Sequence, residues 1–179
     1  AGGRGKGESD RPCIVAYRKG RCARRVVEKD LRPSVACAVK AIAGSAVVYV
    51  TIGFEYKLSV WRSTWPPFMK AVIEACSRHN ARLVFFDNMY LYAASAVPHM
   101  TEEAAIDPPS EKGKVRAQVH RMIFEAVEAG RLQALIARSA DFYGPENKAS
   151  ALQIMVADNF RKGKKAQAFG NVDKLHTYT

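Results

Sequence analysis

The stretch Ala46-Val47-Val48-Tyr49-Val50-Thr51-Ile52-Gly53 is the longest apolar run in the chain, and its reading decides the fold. It is continuous, β-branched and strand-sized, the pattern of a strand buried on both faces. Working outward, Arg82-Leu83-Val84-Phe85-Phe86-Asp87-Asn88 is a second run of this kind, ending in polar residues, and Leu132 to Ala137 is a third. Between them lie helical patterns. A helix over about 58–79 carries Val72, Ile73 and Cys76 on one stripe, and Pro66 and Pro67 predict a kink or two pieces. Another runs from Ser110 to Ala129 and ends at Gly130. Upstream, Pro33 opens a short helix that Gly44 closes, and Ile14-Val15-Ala16-Tyr17 is a strand candidate. Downstream, a helix over about 150–160 and a short strand near Ala166 to Phe169 complete the chain. Strand and helix alternate throughout. Such alternation predicts an α/β fold, a Rossmann-like parallel sheet with helices on both faces. Ligands of such sheets bind beyond the carboxyl ends of the strands. That edge gathers Arg18, Thr51, Gly53, Asp87, Asn88 and the turn 138–143.

Bulk properties narrow the class. The chain has 179 residues, 48% of them apolar, enough for a packed domain and too apolar for a disordered one. No apolar run reaches the roughly 18 residues of a membrane span. The N-terminus carries no signal-peptide pattern. Residues 1–12 are glycine-rich and charged and read as a flexible end, with one domain over 13–179. Cys13, Cys22, Cys37 and Cys76 show no metal or disulfide spacing and read as reduced thiols, so the expected location is cytoplasmic. The net charge is +11, with Lys and Arg dense over 18–25, 112–121 and 161–165. A solvated basic surface or attraction for a phosphorylated ligand accounts for it. No nucleic-acid-binding motif accompanies the charge, and neither nucleic acid nor membrane is an expected partner. The oligomeric state stays open.

Several segments, in order, resemble the NAD(P)-dependent epimerase/dehydratase family of extended short-chain dehydrogenases. The runs at 46–51 and 82–92 are similar to its fourth and fifth strands. Pro98, Thr101, Glu102, Glu103 and Pro108 resemble its Pro…Thr-Glu-x…Pro loop, and residues 137–145 its Arg…Tyr-Gly-Pro turn. The resemblance implies a dinucleotide cofactor and a sugar-nucleotide or small carbonyl or hydroxyl substrate. It makes Ile14–Tyr17 the second strand of the fold. Arg18 then falls at the adenosine ribose, suited to a 2′-phosphate, so NADP is slightly favoured over NAD. Asp30 and Leu31 fall beside the adenine, and Thr51, Gly53, Asn88 and Arg116 complete the implied cofactor set. Tyr92, Arg138, Asp141 and Tyr143 are the implied substrate contacts.

The sequence also departs from that family. A phosphate loop needs a strand, a G-x-G-x-x-G turn and a helix within about 30 residues, and only residues 1–13 precede Ile14. The first βα unit and the C-terminal substrate region are therefore expected to be largely missing. The positions of the catalytic Ser or Thr, Tyr and Lys carry Asn88, Lys112 and Arg116 instead. Lys112 can donate a proton only if its pKa is depressed, Arg116 stays charged, and Asn88 can hydrogen-bond a carbonyl. Tyr90, Tyr92 and Tyr143 are the stand-in acids. His99, His120 and His176 form no triad or metal site. Three functions follow: a weakly active oxidoreductase or epimerase; a non-catalytic dinucleotide-binding or sensing module, or a truncated inactive fragment; and, least favoured, a basic protein that binds nucleic acid through charge.

Overall fold

A computed structural model describes residues 14–17, 35–144, 147, 150–168, 170–173 and 179. The chain divides into two compact units, Ala1–Ala137 and Arg138–Thr179. The described elements run β1 (Ile14–Tyr17), α1 (Val35–Ile42), β2 (Val47–Val50), α2 (Leu58–His79), β3 (Arg82–Asn88), α3 (Glu111–Glu128), β4 (Ala134–Ser139) and α4 (Asp158–Arg161). The sheet order is β1-β2-β3-β4. Strands β2 and β3 are parallel neighbours, with Val48 opposite Leu83 and Val50 opposite Phe85. On the far side of β3, Leu83 N–H donates to the Gln133 carbonyl just before β4. Helices α2 and α3 are the long connections that parallel neighbours require. This is the Rossmann-like α/β arrangement that the alternating pattern called for.

Two helix termini show why the elements stop where they do. Asn80 closes α2 in the left-handed region at φ 50, and the Ala81 N–H reaches back to the Cys76 carbonyl at 2.9 Å. Ser110 caps α3, its hydroxyl accepting from Gly113 N–H at 3.0 Å. Gly113 has a second duty. A Cβ there would run into the Tyr90 carbonyl oxygen and lie 2.7 Å from Pro108 Cβ. Only glycine lets α3 start this close to the loop after β3.

One core holds the first unit together. Ala38 and Ile42 of α1, Trp65, Phe68, Met69 and Val72 of α2, and Val115, Val119 and Ile123 of α3 pack on Val48, Val50, Leu83 and Phe85. The apolar stripes at helical spacing thus meet alternate residues of the strands. Phe54, on the loop after β2, sets its ring edge against Trp65 at 4.6 Å.

Four expectations need correction. First, β1 is not a parallel second strand. It pairs antiparallel with β2, Ile14 opposite Val50 and Tyr17 opposite Val47. In a Rossmann sheet the strand read as the fourth lies between the first and the fifth. Ile14–Tyr17 therefore takes the first strand's place in reverse, satisfying the ladder groups that β2 would otherwise leave open. The chain leaves β1 at the amino edge of β2. Second, β2 and β3 are not buried on both faces. Their buried residues alternate, and Tyr49 and Phe86 are each 38% exposed. Third, α2 is one continuous helix across Pro66 and Pro67. Trp61, Trp65, Phe68 and Met69 are buried on both sides of the prolines, and that packing outweighs the lost helix hydrogen bonds. Fourth, residues 166–168 form no strand. In the second unit a π-helical turn, Gln153–Ala157, leads into α4.

Candidate functional site

The carboxyl edge of β2 and β3 is where the first unit concentrates its polar and aromatic groups. Asp87 ends the buried row of β3, and Asn88 follows it half-buried. Asp87 Oδ1 accepts the Asn88 N–H at 2.8 Å, and Asn88 Oδ1 accepts the Tyr90 N–H at 3.1 Å. These two bonds fold the chain back at the tip of the strand.

Arg116 approaches that tip from α3. Its Nε lies 3.2 Å from Asp87 Oδ1, and the residue is only 5% exposed. Its guanidinium lies 3.9 Å from the Trp65 ring centroid and 4.9 Å from that of Trp61. A cation enclosed this way is tolerated because the carboxylate and the two ring faces replace its hydration. Burial pushes the Arg116 pKa down, opposed by the charges of Asp87 and Tyr90. Arg116 Nη1 and the indole N–H groups of Trp61 and Trp65 are buried without a hydrogen-bond acceptor among the described residues.

Lys112 sits one turn earlier on α3. Its Nζ donates to the Tyr56 carbonyl at 3.1 Å and lies 3.1 Å from the centroid of the Tyr56 ring. The Tyr56 and Tyr90 hydroxyls are 3.3 Å apart. Tyr90 in turn stacks on Trp61 at 6.3 Å and 19°. Beside this group, Glu111 pairs with Arg62 of α2 and, at 2.6 Å, with Lys114. Both cations hold the Glu111 carboxyl below the usual carboxylate range.

Asn88, Lys112 and Arg116 are thus joined through Asp87, Tyr90 and Tyr56. Their surroundings differ from what their family positions imply. Lys112 is engaged by Tyr56, and Arg116 is enclosed between Asp87 and two indoles. Thr51 and Gly53 lie beyond the end of β2, both exposed, with nothing within 4 Å of a Cβ built on Gly53. Tyr92 is buried in a small second core with Leu91 and Ala117. Arg18, Asp30 and Leu31 lie outside the described residues. Arg138, Asp141 and Tyr143 belong to the second unit. There Asp141 and Tyr143 bracket Thr179: Thr179 N–H donates to the Asp141 carbonyl at 2.9 Å, and Tyr143 N–H to the Thr179 carbonyl at 3.2 Å.

Sequence reasoning missed Tyr56, Trp61 and Trp65. The signal was present: Trp61 and Trp65 are four apart on one face of α2, and Trp65 falls just before Pro66. A small cleft of about 80 Å³ lies at the opposite edge of the sheet, lined by Cys76, Asn80 to Arg82 and Gly130 to Gln133. No group of His, Cys, Asp or Glu suited to a metal occurs among the described residues. No described helix is long and apolar enough to cross a membrane.

Strand order and crossover helices define an α/β fold of the Rossmann type. No protein-family model and no curated protein matches the sequence. Solved structures match in fold, among them sugar-nucleotide epimerases and a dehydratase. UDP-glucuronic acid 4-epimerase from Bacillus cereus, in complex with UDP-glucuronic acid and NAD, superposes with a TM-score of 0.72 at 15% identity, over 83% of this chain and 50% of its own. UDP-N-acetylglucosamine 4-epimerase from Methanobrevibacter ruminantium M1 does so with 0.68 at 12% identity, over 79% and 49%. The dTDP-glucose 4,6-dehydratase DesIV from Streptomyces venezuelae, with NAD bound, gives 0.63 at 14% identity, over 81% and 47%. The fold that the sequence resemblance implied is the fold of these proteins. The chain spans about half their length.

Whether the edge suits a dinucleotide depends on the residues that line it. Exposed Thr51, open Gly53 and half-buried Asn88 suit contact with a bound group. The orphaned donors around Arg116 suit an oxygen acceptor. Arg116, as enclosed here, does not suit the role of holding a nicotinamide ribose.

Proposed function

We propose that this chain is a nicotinamide-dinucleotide-binding module on the sugar-nucleotide epimerase fold, without the usual proton-transfer set. The carrying observation is the enclosure of Arg116. A guanidinium tied to Asp87 and faced by Trp65 and Trp61 serves the packing of α3 on β3. It cannot act as a base in any case. Lys112, at the position of the acid/base Tyr, is engaged by the carbonyl and the ring of Tyr56. A nicotinamide dinucleotide, when bound, supplies hydride transfer. The residues here offer it binding and orientation through Thr51, Gly53 and Asn88.

Support for a dinucleotide comes from three sides. The binding edge of such sheets is the carboxyl edge. The net charge of +11 favours a ligand carrying phosphates. Several of the similar solved structures hold NAD. The buried free thiol of Cys76 fits a reducing, cytoplasmic setting. An active reading, on a sugar nucleotide or a small carbonyl or hydroxyl substrate, rests on those same neighbours.

Titration with NADH and NADPH, followed by nicotinamide fluorescence, separates the two readings. Saturable, salt-sensitive binding without conversion of UDP-glucose or UDP-glucuronic acid to its 4-epimer is the expected result. Turnover of either sugar nucleotide overturns the non-catalytic reading. Absence of binding to both cofactors overturns the dinucleotide assignment itself.

A further inference from the structure

We propose that Lys112 latches the tip 55–57 of the loop after β2 over the Trp61, Trp65 and Arg116 cluster, so that the resting chain covers that part of the carboxyl edge. The loop has two apolar anchors, Ile52 at 6% exposure and Phe54 against Trp65 and Phe68. Beyond them Glu55, Tyr56 and Lys57 are exposed, Tyr56 at 63%. Nothing apolar seats this tip deeply. The tip is held by the Tyr56 ring against Trp61 at 5.5 Å, by the Lys57 carbonyl accepting the Trp61 N–H at 3.0 Å, and by polar groups of two further elements. Lys112 of α3 grips Tyr56 twice, through the carbonyl and through the ring face, each at 3.1 Å. Tyr90, on the loop after β3, meets the Tyr56 hydroxyl at 3.3 Å. Tyr56 therefore bridges the start of α3 and the tip of β3 and spans the cluster that holds Asn88 and Arg116.

A charged N–H bond to a carbonyl and a cation over an aromatic face are each modest, and both are lost if the loop lifts. That is the energy scale of a reversible closure. Beneath the loop, Trp61 Nε1, Trp65 Nε1 and Arg116 Nη1 are buried donors without acceptors among the described residues. Lifting the tip is the small movement that would bring a ligand oxygen towards the two indole N–H groups. The residue type at position 112 then has a rationale: a lysine reaches the Tyr56 carbonyl and carries the cation that the ring attracts.

Only the ligand arm of the test rests on the dinucleotide reading. Lys112→Met keeps the aliphatic stem and removes both contacts. 15N relaxation reads the tip directly. In the variant, order parameters at residues 55–57 should fall from the rigid range near ~0.85 to below ~0.6, with β2 and β3 unchanged. Its NADH affinity should rise severalfold, because the open form no longer competes with the latch. Tyr56→Gly, which removes the ring but keeps the carbonyl, should give a smaller loosening and serves if Lys112→Met does not fold. Unchanged order at the tip in both variants overturns the latch. Weaker NADH binding by a loosened Lys112→Met variant also overturns it, making Lys112 a ligand contact. If neither wild type nor variant binds NADH while the tip loosens, the latch stands and the dinucleotide reading fails.

Discussion

Arg116 is the residue on which structure and family pattern part most sharply, and its enclosure makes a quantitative claim. Removing one member of a buried ion pair leaves its partner charged and poorly solvated, at about 3–5 kcal/mol. Arg116→Met should therefore destabilise the fold by that order in urea unfolding. The double variant Arg116→Met/Asp87→Leu should recover much of the loss. Additive losses would mean that the pair is not coupled. Cys76 supplies a second test at this scale. It is fully buried at the foot of α2, and burial pushes its thiol pKa from the ordinary 9.0 up to about 12. The folded state holds the proton where the unfolded chain has lost it. This share of stability is complete below pH 9 and is lost as pH rises towards about 12, at up to ~1.4 kcal/mol per pH unit. Cys76→Ala should lose this pH dependence relative to wild type. Identical stability slopes for the two between pH 8 and 11 would contradict the burial argument.

Among the elements, the start of α3 matters most, because it carries Lys112 and Arg116 to the tip of β3. Gly113 sets that approach. Gly113→Ala should cost ~1–3 kcal/mol by overpacking, against the stabilisation alanine normally brings to a helix. A thermal melt decides: a fall in Tm supports the close approach, and a rise contradicts it. Elements differ in how far the sequence disclosed them. The apolar runs at 47–50 and 83–85 and the capping residues Ser110 and Gly130 made β2, β3 and α3 legible, since each carries its own periodicity or stop signal. The continuity of α2 was not legible. Its prolines argue locally for a break, and only the burial of Trp61, Trp65 and Phe68 against the sheet overrides them. The reversal of β1 was hidden for a similar reason. Four apolar residues give a strand but no direction, which the open edge of β2 decides.

At the scale of the molecule, the site was legible as positions and not as environment. Asn88, Lys112 and Arg116 could be picked out by position, and Asp87, Tyr90 and Tyr56 link them in the fold. That Arg116 would be buried and Lys112 held by Tyr56 depends on Tyr56, Trp61 and Trp65, aromatic residues that carry no family signature. The alternation of strands and helices made the carboxyl edge legible, because a parallel sheet has only one carboxyl side. The central claim is that this edge, above Asn88, receives a nicotinamide dinucleotide. Amide chemical-shift mapping of the intact chain during NADH titration tests it most directly. The expected result is saturable shifts clustered over residues 51–57, 88–90 and 111–116. Shifts confined to the opposite cleft around residues 80–82 and 130–133, or no saturable shift at all, would contradict it.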